Sequence, residues 1–429
     1  NFETDEGHWY AEGVNSTWQY GTPSGTIINK AASGTKAWKT NLSGKYSNNE
    51  ISYLYSPCFD ISNLKSPMLS FSRALEIEDC GTNICDKAYV EYSADGINWQ
   101  KLGVKDSGTN WYNNGVERIW NGINNTRWQV SSYPLPKLSS LKLRFVLRTD
   151  MGSAFEGLAV DDIHIYDFEK PIFPNGLQSS VDDKGVDKTK FESNGQVIAE
   201  IVDSNSSLGN VDWNAFFHHS VFVPLMEQFY IPRNFVLQTE LLSASSLGIK
   251  FYITDKEFLK VYENTECAAC EKPEDIYRMG ILNYHDVNSS HENGSWLDNR
   301  SSFYSFIPAS SITWVPYDNG YYASFETDKT GEFWITTGIP KKTVKAVFVY
   351  PNPVVAQQFQ LVWQATLGAT MEVTLFNAIG SKVFTTTIKA TDVDNTSTIT
   401  LPTLANGVYM MHYKSALESG KMKLTIKNL

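Results

Sequence analysis

No stretch of the 429 residues approaches the ~20 consecutive apolar positions that a membrane-spanning helix requires, so no such helix is expected. The Gly-x-Ser-x-Gly elbow, the His-Glu-x-x-His zinc helix and the phosphate-cradling glycine loop are all missing. Histidine is scarce, seven in all. His218 and His219 are adjacent and would face opposite sides of a strand, while His291-Glu292 lacks the second histidine of a zinc site. Carboxylates are plentiful, so a glycosidase pair stays open on sequence alone, but no pattern points to catalysis within these residues. A net charge of −11 argues against nucleic acid or an anionic membrane as the main partner. The chain opens Asn1-Phe2-Glu3 without a charged-then-apolar leader. The expectation is a signal peptide already removed, or the C-terminal piece of a longer protein.

Cysteine is also sparse: five residues, at 58, 80, 85, 267 and 270. Cys80/Cys85 and Cys267/Cys270 are local pairs flanked by turn residues, and two disulfides imply an oxidising compartment. For Cys267-Ala268-Ala269-Cys270 a redox motif or half a zinc site is the rival reading, although no second ligand pair at zinc-like spacing follows it. Cys58 is expected to be a buried free thiol.

What the sequence does have is aromatic weight and turn chemistry: 12 Trp, 22 Tyr and 23 Phe among abundant Thr, Ser, Asn and Gly. Such a mixture favours strands and turns over helices. The length suits two or three domains. An all-β chain of three consecutive β-sandwich domains is therefore expected, over 1–168, 177–338 and 348–429. In the first block short alternating runs such as Met68–Phe71, Ala88–Tyr92 and Leu141–Leu147 are bounded by turn residues, with a hairpin signal at Asp95-Gly96. Lys170–Gly176, with two prolines and a glycine, reads as a linker. In the middle block Val197, Ala199 and Ile201, and the run Gly248–Thr254, alternate again. One short helix is predicted near Asp255–Val261 with Asp255 as its cap, and Tyr284–Arg300 reads as an exposed loop. From Val349 onward six Lys and no Arg stand against four Asp and Glu, so a slightly basic tail follows an acidic body.

The tail carries the most specific pattern. Val349-Tyr350-Pro351-Asn352-Pro353 precedes the strand Met371–Asn377, and a turn containing Gly380 leads to Lys382–Phe384. Leu404-Ala405-Asn406-Gly407-Val408-Tyr409 follows, then Gly420 and Lys421–Lys427. From Phe348 to Leu429 this resembles the type A C-terminal sorting domain of cargo proteins of the type IX secretion system of Bacteroidota. The resemblance implies recognition at the outer membrane by the translocon, capture by a shuttle barrel protein and removal by a sortase, with the cargo released or anchored on the cell surface. The implied signal positions are Tyr350, Pro351, Asn352, Pro353, Gly380, Gly407, Val408, Tyr409, Lys421 and Lys423. The prolines bar a helix and keep the entry strand extended.

Residues 1–168 resemble jelly-roll domains related to MAM and immune-inhibitor-A modules. The carriers are Asn1-Phe2-Glu3, Ser56–Ser62, the Ser93–Trp99 hairpin, Asn110-Trp111-Tyr112 and Gly157–Ile163. The resemblance implies a structural calcium between the first and last strands, with Glu3, Asp5 and Asp162 as ligands. Trp99, Trp111, Tyr112, Trp120 and Trp128, among several asparagines, suggest a carbohydrate platform. The competing reading places these rings in the core. The middle block is similar to an unnamed sandwich that precedes such sorting domains, with a spacer role. Two functional readings follow: an exported adhesive or spacer surface protein, or the non-catalytic tail of a longer secreted metallopeptidase or other hydrolase.

Overall fold

The computed structural model describes all residues except 82, 177, 205–206, 224–226, 242–245, 269, 287–288, 297–298, 300–302, 341–346, 365–367, 391–393, 416–418 and 428–429. The chain is all-β, with multiple sheets paired as sandwiches. It divides into two compact units. One comprises Asn1–Phe222, Phe229–Asn283 and Phe306–Gly338. The other comprises Val223–Gln228, Tyr284–Ser305 and Ile339–Leu429.

In the first unit, the strands up to residue 167 form two antiparallel sheets. One runs Tyr10–Val14, Ile51–Tyr55, Ser140–Arg148, Lys87–Ser93, Gln100–Lys101, with Phe59–Asp60 attached to Ser140–Arg148. The other runs Trp18–Gly21, Ala37–Thr40, Gly157–Asp167, Pro67–Ile77, Gly122–Pro134. The period-2 burial of Ser140–Arg148 is what a half-covered sheet requires, with Leu141, Leu143 and Phe145 inward. Between Lys87–Ser93 and Gln100–Lys101, the Asp95 carboxylate accepts the N–H groups of Ile97 and Asn98, and Gly96 turns at φ 75°. Those hydrogen bonds hold the Asp95 carboxyl well below its usual range.

The strand Pro67–Ile77 breaks the expected alternation, because it is buried on both faces nearly throughout. Ser72 is covered by the middle block of the same unit and Ser70 meets the Tyr166 hydroxyl, while Arg73 turns the other way, onto Ser131, Asn110 O and the Trp120 ring. Tyr277 Oη hydrogen-bonds Ser72 Oγ, and Tyr166 stacks on Tyr317 at 4.9 Å. Arg127 makes a two-pronged ion pair with Asp255 at 3.0 and 2.8 Å, and Asn110 Nδ2 donates to the same carboxylate at 3.2 Å. Burial lowers the Arg73 guanidinium to about 9, with the Arg127 charge adding to the effect. A single hydrophobic core accordingly joins Ala74, Trp128, Val130 and Ala159 to Trp213, Phe251 and Phe333.

The middle block contains a seven-stranded sheet: Ser180–Val186, Asn210–Phe217, Gln228–Thr239, Gly331–Thr336, Gly280–Tyr284, Tyr304–Ile307, with Phe222–Val223 on Gln228–Thr239. Its companion has five strands: Lys190–Ser193, Gln196–Asp203, Leu247–Thr254, Gly320–Thr327, Thr313–Tyr317. Phe235 and Phe251 stack between them at 3.9 Å. The buried Arg233 pairs with Glu257 at 2.9 Å and donates to the carbonyls of Tyr252 and Phe173. The segment expected as a linker is thereby tied down: Ile172 and Phe173 are buried, and Phe173 N–H donates to Val197 O. The helix spans Asp255–Glu263, but its cap is Thr254, which shares a capping box with Glu257. Asp255 is instead the first-turn acid that holds Arg127.

In the second unit, the described residues after Tyr284 are irregular as expected, with His285, Ser289, Ser290 and Asn293 exposed, but the stretch is not exposed throughout, and 287–288, 297–298 and 300 lie outside the described residues. Tyr284, Asp286, Glu292 and Trp296 are buried. Tyr284 Oη donates to Asp286 at 2.5 Å, His291 Nδ1 lies 2.9 Å from Asp286, and Asp286 N–H donates to Glu292. Polar residues that read as loop thus pack because they satisfy one another.

Candidate functional site

The strands after residue 347 form one path, Lys382–Lys389, Thr370–Phe376, Gly407–Ser415, Ser419–Ile426, Phe348–Val355, Gln358–Gln364, Asp394–Thr400, folded around a core that includes Val354, Leu361, Trp363, Val373, Tyr409, Met411 and Leu424. The entry strand changes partners within the Tyr350–Pro353 motif. Before it, Phe348, Val349 and Tyr350 pair antiparallel with Val362, Leu361 and Gln360. After it, Val354 pairs parallel with Ile426 of the terminal strand. Both Tyr350-Pro351 and Asn352-Pro353 are cis. Prolines have no N–H to offer a ladder. The side chain between them supplies the missing hydrogen bonds: Asn352 Nδ2 donates to Lys423 O at 3.0 Å, and Thr425 N–H donates to Asn352 Oδ1 at 2.9 Å. Lys427 N–H then donates to Val354 O.

Gly380 turns at φ 79°, and a Cβ there would meet nothing within 4 Å, so glycine is required by conformation alone. Asn377 Oδ1 closes this turn by accepting the N–H groups of Ile379 and Ser381. Tyr409 is buried and its hydroxyl donates to Ala405 O, whereas the preceding Val408 points outward at 47% exposure. Lys421 and Lys423 alternate with inward-facing Met422 and Leu424 and are exposed. Gly420 leaves room for Tyr413, whose hydroxyl would lie 2.2 Å from any Cβ at 420. The strands thus bring Asn352, Lys421 and Lys423 together on one edge-to-edge seam, while Gly380 sits in a separate turn. Sequence reading did not find Phe376, His412 and Met410, which share the outward face with Val408; strand alternation about Tyr409 was the available signal.

The aromatics of the first block do not form a platform. Trp111, Tyr112 and Trp120 are almost fully buried; Trp120 lies edge-on to both Trp111 and Tyr112, and Phe71 lies edge-on to the two tryptophans. Tyr112 Oη and Trp111 Nε1 donate to Leu102 O, and Trp120 Nε1 donates to Asn110 O. Rings of this size in a thin sandwich are needed to fill it. Trp99 is half-buried beneath the Arg144 guanidinium, 4.2 Å from its ring. Trp128 is buried too, at one wall of a groove of about 390 Å³ that Tyr262, Lys30 and Lys272 also line.

The expected calcium ligands are likewise not gathered as a trio. Asp5 is exposed and accepts the N–H of Gly7 in its own turn. Glu3 accepts the N–H groups of Thr35 and Lys36. Its slight burial alone would raise the carboxyl, but the amides of Lys36 and Thr35 hold it below the usual range. Asp162, at φ 48°, accepts Ser33 Oγ on Oδ1 and leaves a buried Oδ2 without a hydrogen-bond partner. Its neighbour Asp161 is fully buried; burial, then the adjacent Asp162 charge, pushes its carboxyl well up. Glu3 and Asp162 line a cavity of about 420 Å³ with Ser33, Tyr277 and Trp314. Acidic side chains whose ligand atoms lie within 4.8 Å of one another occur elsewhere, at Glu78, Asp86 and Asp150.

Cys80–Cys85 and Cys267–Cys270 are disulfide-bonded. Cys58 is free but exposed rather than buried, 2.9 Å from Ser140 Oγ, because it lies just ahead of a two-residue strand at the sheet margin.

Comparison with known proteins places this geometry. Residues 348–427 match the family described as the secretion system C-terminal sorting domain. The chain is therefore a cargo addressed for export, to the cell surface or the medium, and no helix among the described residues is long and apolar enough to cross a membrane. Bacillopeptidase F of Bacillus subtilis is 33% identical over 168 residues, 39% of this chain, and the match spans only about a tenth (10%) of that protein's length. Among solved structures, the K1 cleaved adhesin domain of Lys-gingipain from Porphyromonas gingivalis is 14% identical over 38% of this chain and 99% of its own, with a TM-score of 0.22. TmCBM61 in complex with β-1,4-galactotriose is 14% identical over 39% of this chain and 94% of its own, with a TM-score of 0.26.

Proposed function

We propose that this chain is a type IX cargo whose C-terminal sandwich is read by the outer-membrane translocon, a shuttle barrel protein and a sortase, while the body ahead of it is a non-catalytic module. The carrying observation is the match of residues 348–427, with Asn352 fastening the entry motif to the strand that bears Lys421 and Lys423. The test is deletion of Val349–Leu429 in cells that export the full chain. Retention in the periplasm is expected; normal export of the truncated chain would end the reading.

The likeness to part of Bacillopeptidase F supports a second reading, that the body is an appendage of a larger peptidase. A catalytic domain encoded ahead of Asn1 in the same reading frame would decide for it. We also propose that the jelly roll holds a structural calcium at Asp162 rather than among the trio expected from sequence. Support comes from the orphaned buried Oδ2 and from the hard oxygens of Glu3 and Ser33 on the same cavity. The stacking platform suggested for carbohydrate is buried, and the open groove beside Tyr262 is the surface on which carbohydrate binding is to be tested.

A further inference from the structure

The outward face of the four strands that include the terminal one carries a pattern unlike the rest of the tail. Strand register sets Glu372 beside Lys414, Thr374 beside His412 and Phe376 beside Met410. On the next strand Ser419, Lys421, Lys423 and Thr425 stand beside Lys414, His412, Met410 and Val408. Phe376 and the His412 ring are 4.6 Å apart. Met410 and Val408 are 42% and 47% exposed, so an apolar strip crosses a face that faces solvent. Beside it lies a shallow hollow of about 460 Å³ lined by Phe376, His412, Lys414 and Lys421. Among the described residues of this face, Glu372 is the one acid against Lys382, Lys389, Lys414, Lys421 and Lys423.

We propose that this face is a docking surface for an acidic protein partner in the export machinery, with Phe376, Met410 and Val408 as the apolar centre and the lysines as its rim. The inference rests on the reading of the tail as a sorting domain and adds the face and the chemistry of what binds it. An apolar centre ringed by charge is the ordinary anatomy of a specific protein interface. Rim lysines with no ion pair among the described residues would draw an acidic partner and set its orientation. An anionic membrane is the poorer fit for a chain whose net charge is −11.

The experiment is made with the full chain in cells that export it. Lys421→Glu with Lys423→Glu should cut the exported fraction about ten-fold, the equivalent of about 1.4 kcal/mol of lost interface affinity. Lys421→Arg with Lys423→Arg should export as the parent does, and Met410→Ser with Val408→Ser should fail while leaving the thermal melt of the purified chain unchanged. If the charge-reversed chain exports normally while the chain lacking Val349–Leu429 stays in the periplasm, the docking face is wrong and the sorting reading stands. If the truncated chain also exports, both fall. Lysine-dependent cosedimentation of the purified chain with phosphatidylglycerol vesicles would assign the face to a membrane and overturn the acidic protein partner.

Discussion

Asn352 accepts the backbone N–H of Thr425 at 2.9 Å, across 73 residues of sequence, and so makes the first and last strands of the tail one structural element. Two prolines on either side could not have paired there, and the amide side chain stands in for the peptide groups they lack. Removing it by Asn352→Ala should destabilise the tail by about 1 kcal/mol, the usual net worth of exposed hydrogen bonds. Hydrogen exchange at the Thr425 amide should speed up correspondingly. Asn352→Asp keeps the acceptor for Thr425 but loses the donor to Lys423 O, and its effect should fall between.

The buried pair Arg127–Asp255 fixes the first-block strand Gly122–Pro134 to the helix Asp255–Glu263. Burial alone would lower Arg127, but Asp255 more than offsets it and raises the guanidinium. Asp255→Ala leaves that cation without its partner at a site about one-tenth exposed, and should cost roughly 3–5 kcal/mol. A denaturant melt followed by Trp fluorescence measures it. Asp255→Asn, which keeps an acceptor, should lose less.

The free thiol of Cys58 gives a simple check on the sheet margin. Four of the five cysteines are bonded in pairs and Cys58 is exposed. The native chain should therefore react rapidly with one equivalent of a maleimide and take up no more until reduced. Slow labelling that requires denaturant would return Cys58 to the interior.

Local chemistry was what the sequence made legible. Alternation marked Ser140–Arg148 and Leu247–Thr254, the proline-asparagine-proline run marked the entry strand, and Gly380 marked the turn between Thr370–Phe376 and Lys382–Lys389. What it hid depended on residues far away in the chain. Ser70 and Ser72 look like a solvent face until Tyr277 and Tyr317, more than 200 positions later, are packed over that sheet. Trp111, Tyr112 and Trp120 look like a platform because a sequence does not show which side of a sandwich is full. Asp161 passed unnoticed beside Asp162, since the bulge at Asp161/His164 that places both carboxylates inward is a property of register, not of composition.

That pair of buried aspartates yields a prediction with a definite sign. Burial raises both carboxyls above the ordinary value of 3.8. Between that value and their raised folded values the folded chain binds more protons than the unfolded one, so their contribution falls as pH rises through the window. In a calcium-free sample, Asp162→Asn should therefore flatten the decline of stability between about pH 4 and neutrality relative to the parent. Calcium requires the ionised carboxylate, so adding it should remove the same decline in the parent and do nothing for Asp162→Asn. Thermal melts with calcium and with EDTA across that range make the comparison. A calcium response that survives in Asp162→Asn but disappears in Asp86→Asn would move the ion to the Glu78, Asp86 and Asp150 cluster, where three carboxylates already converge without an orphaned aspartate between the sandwich ends.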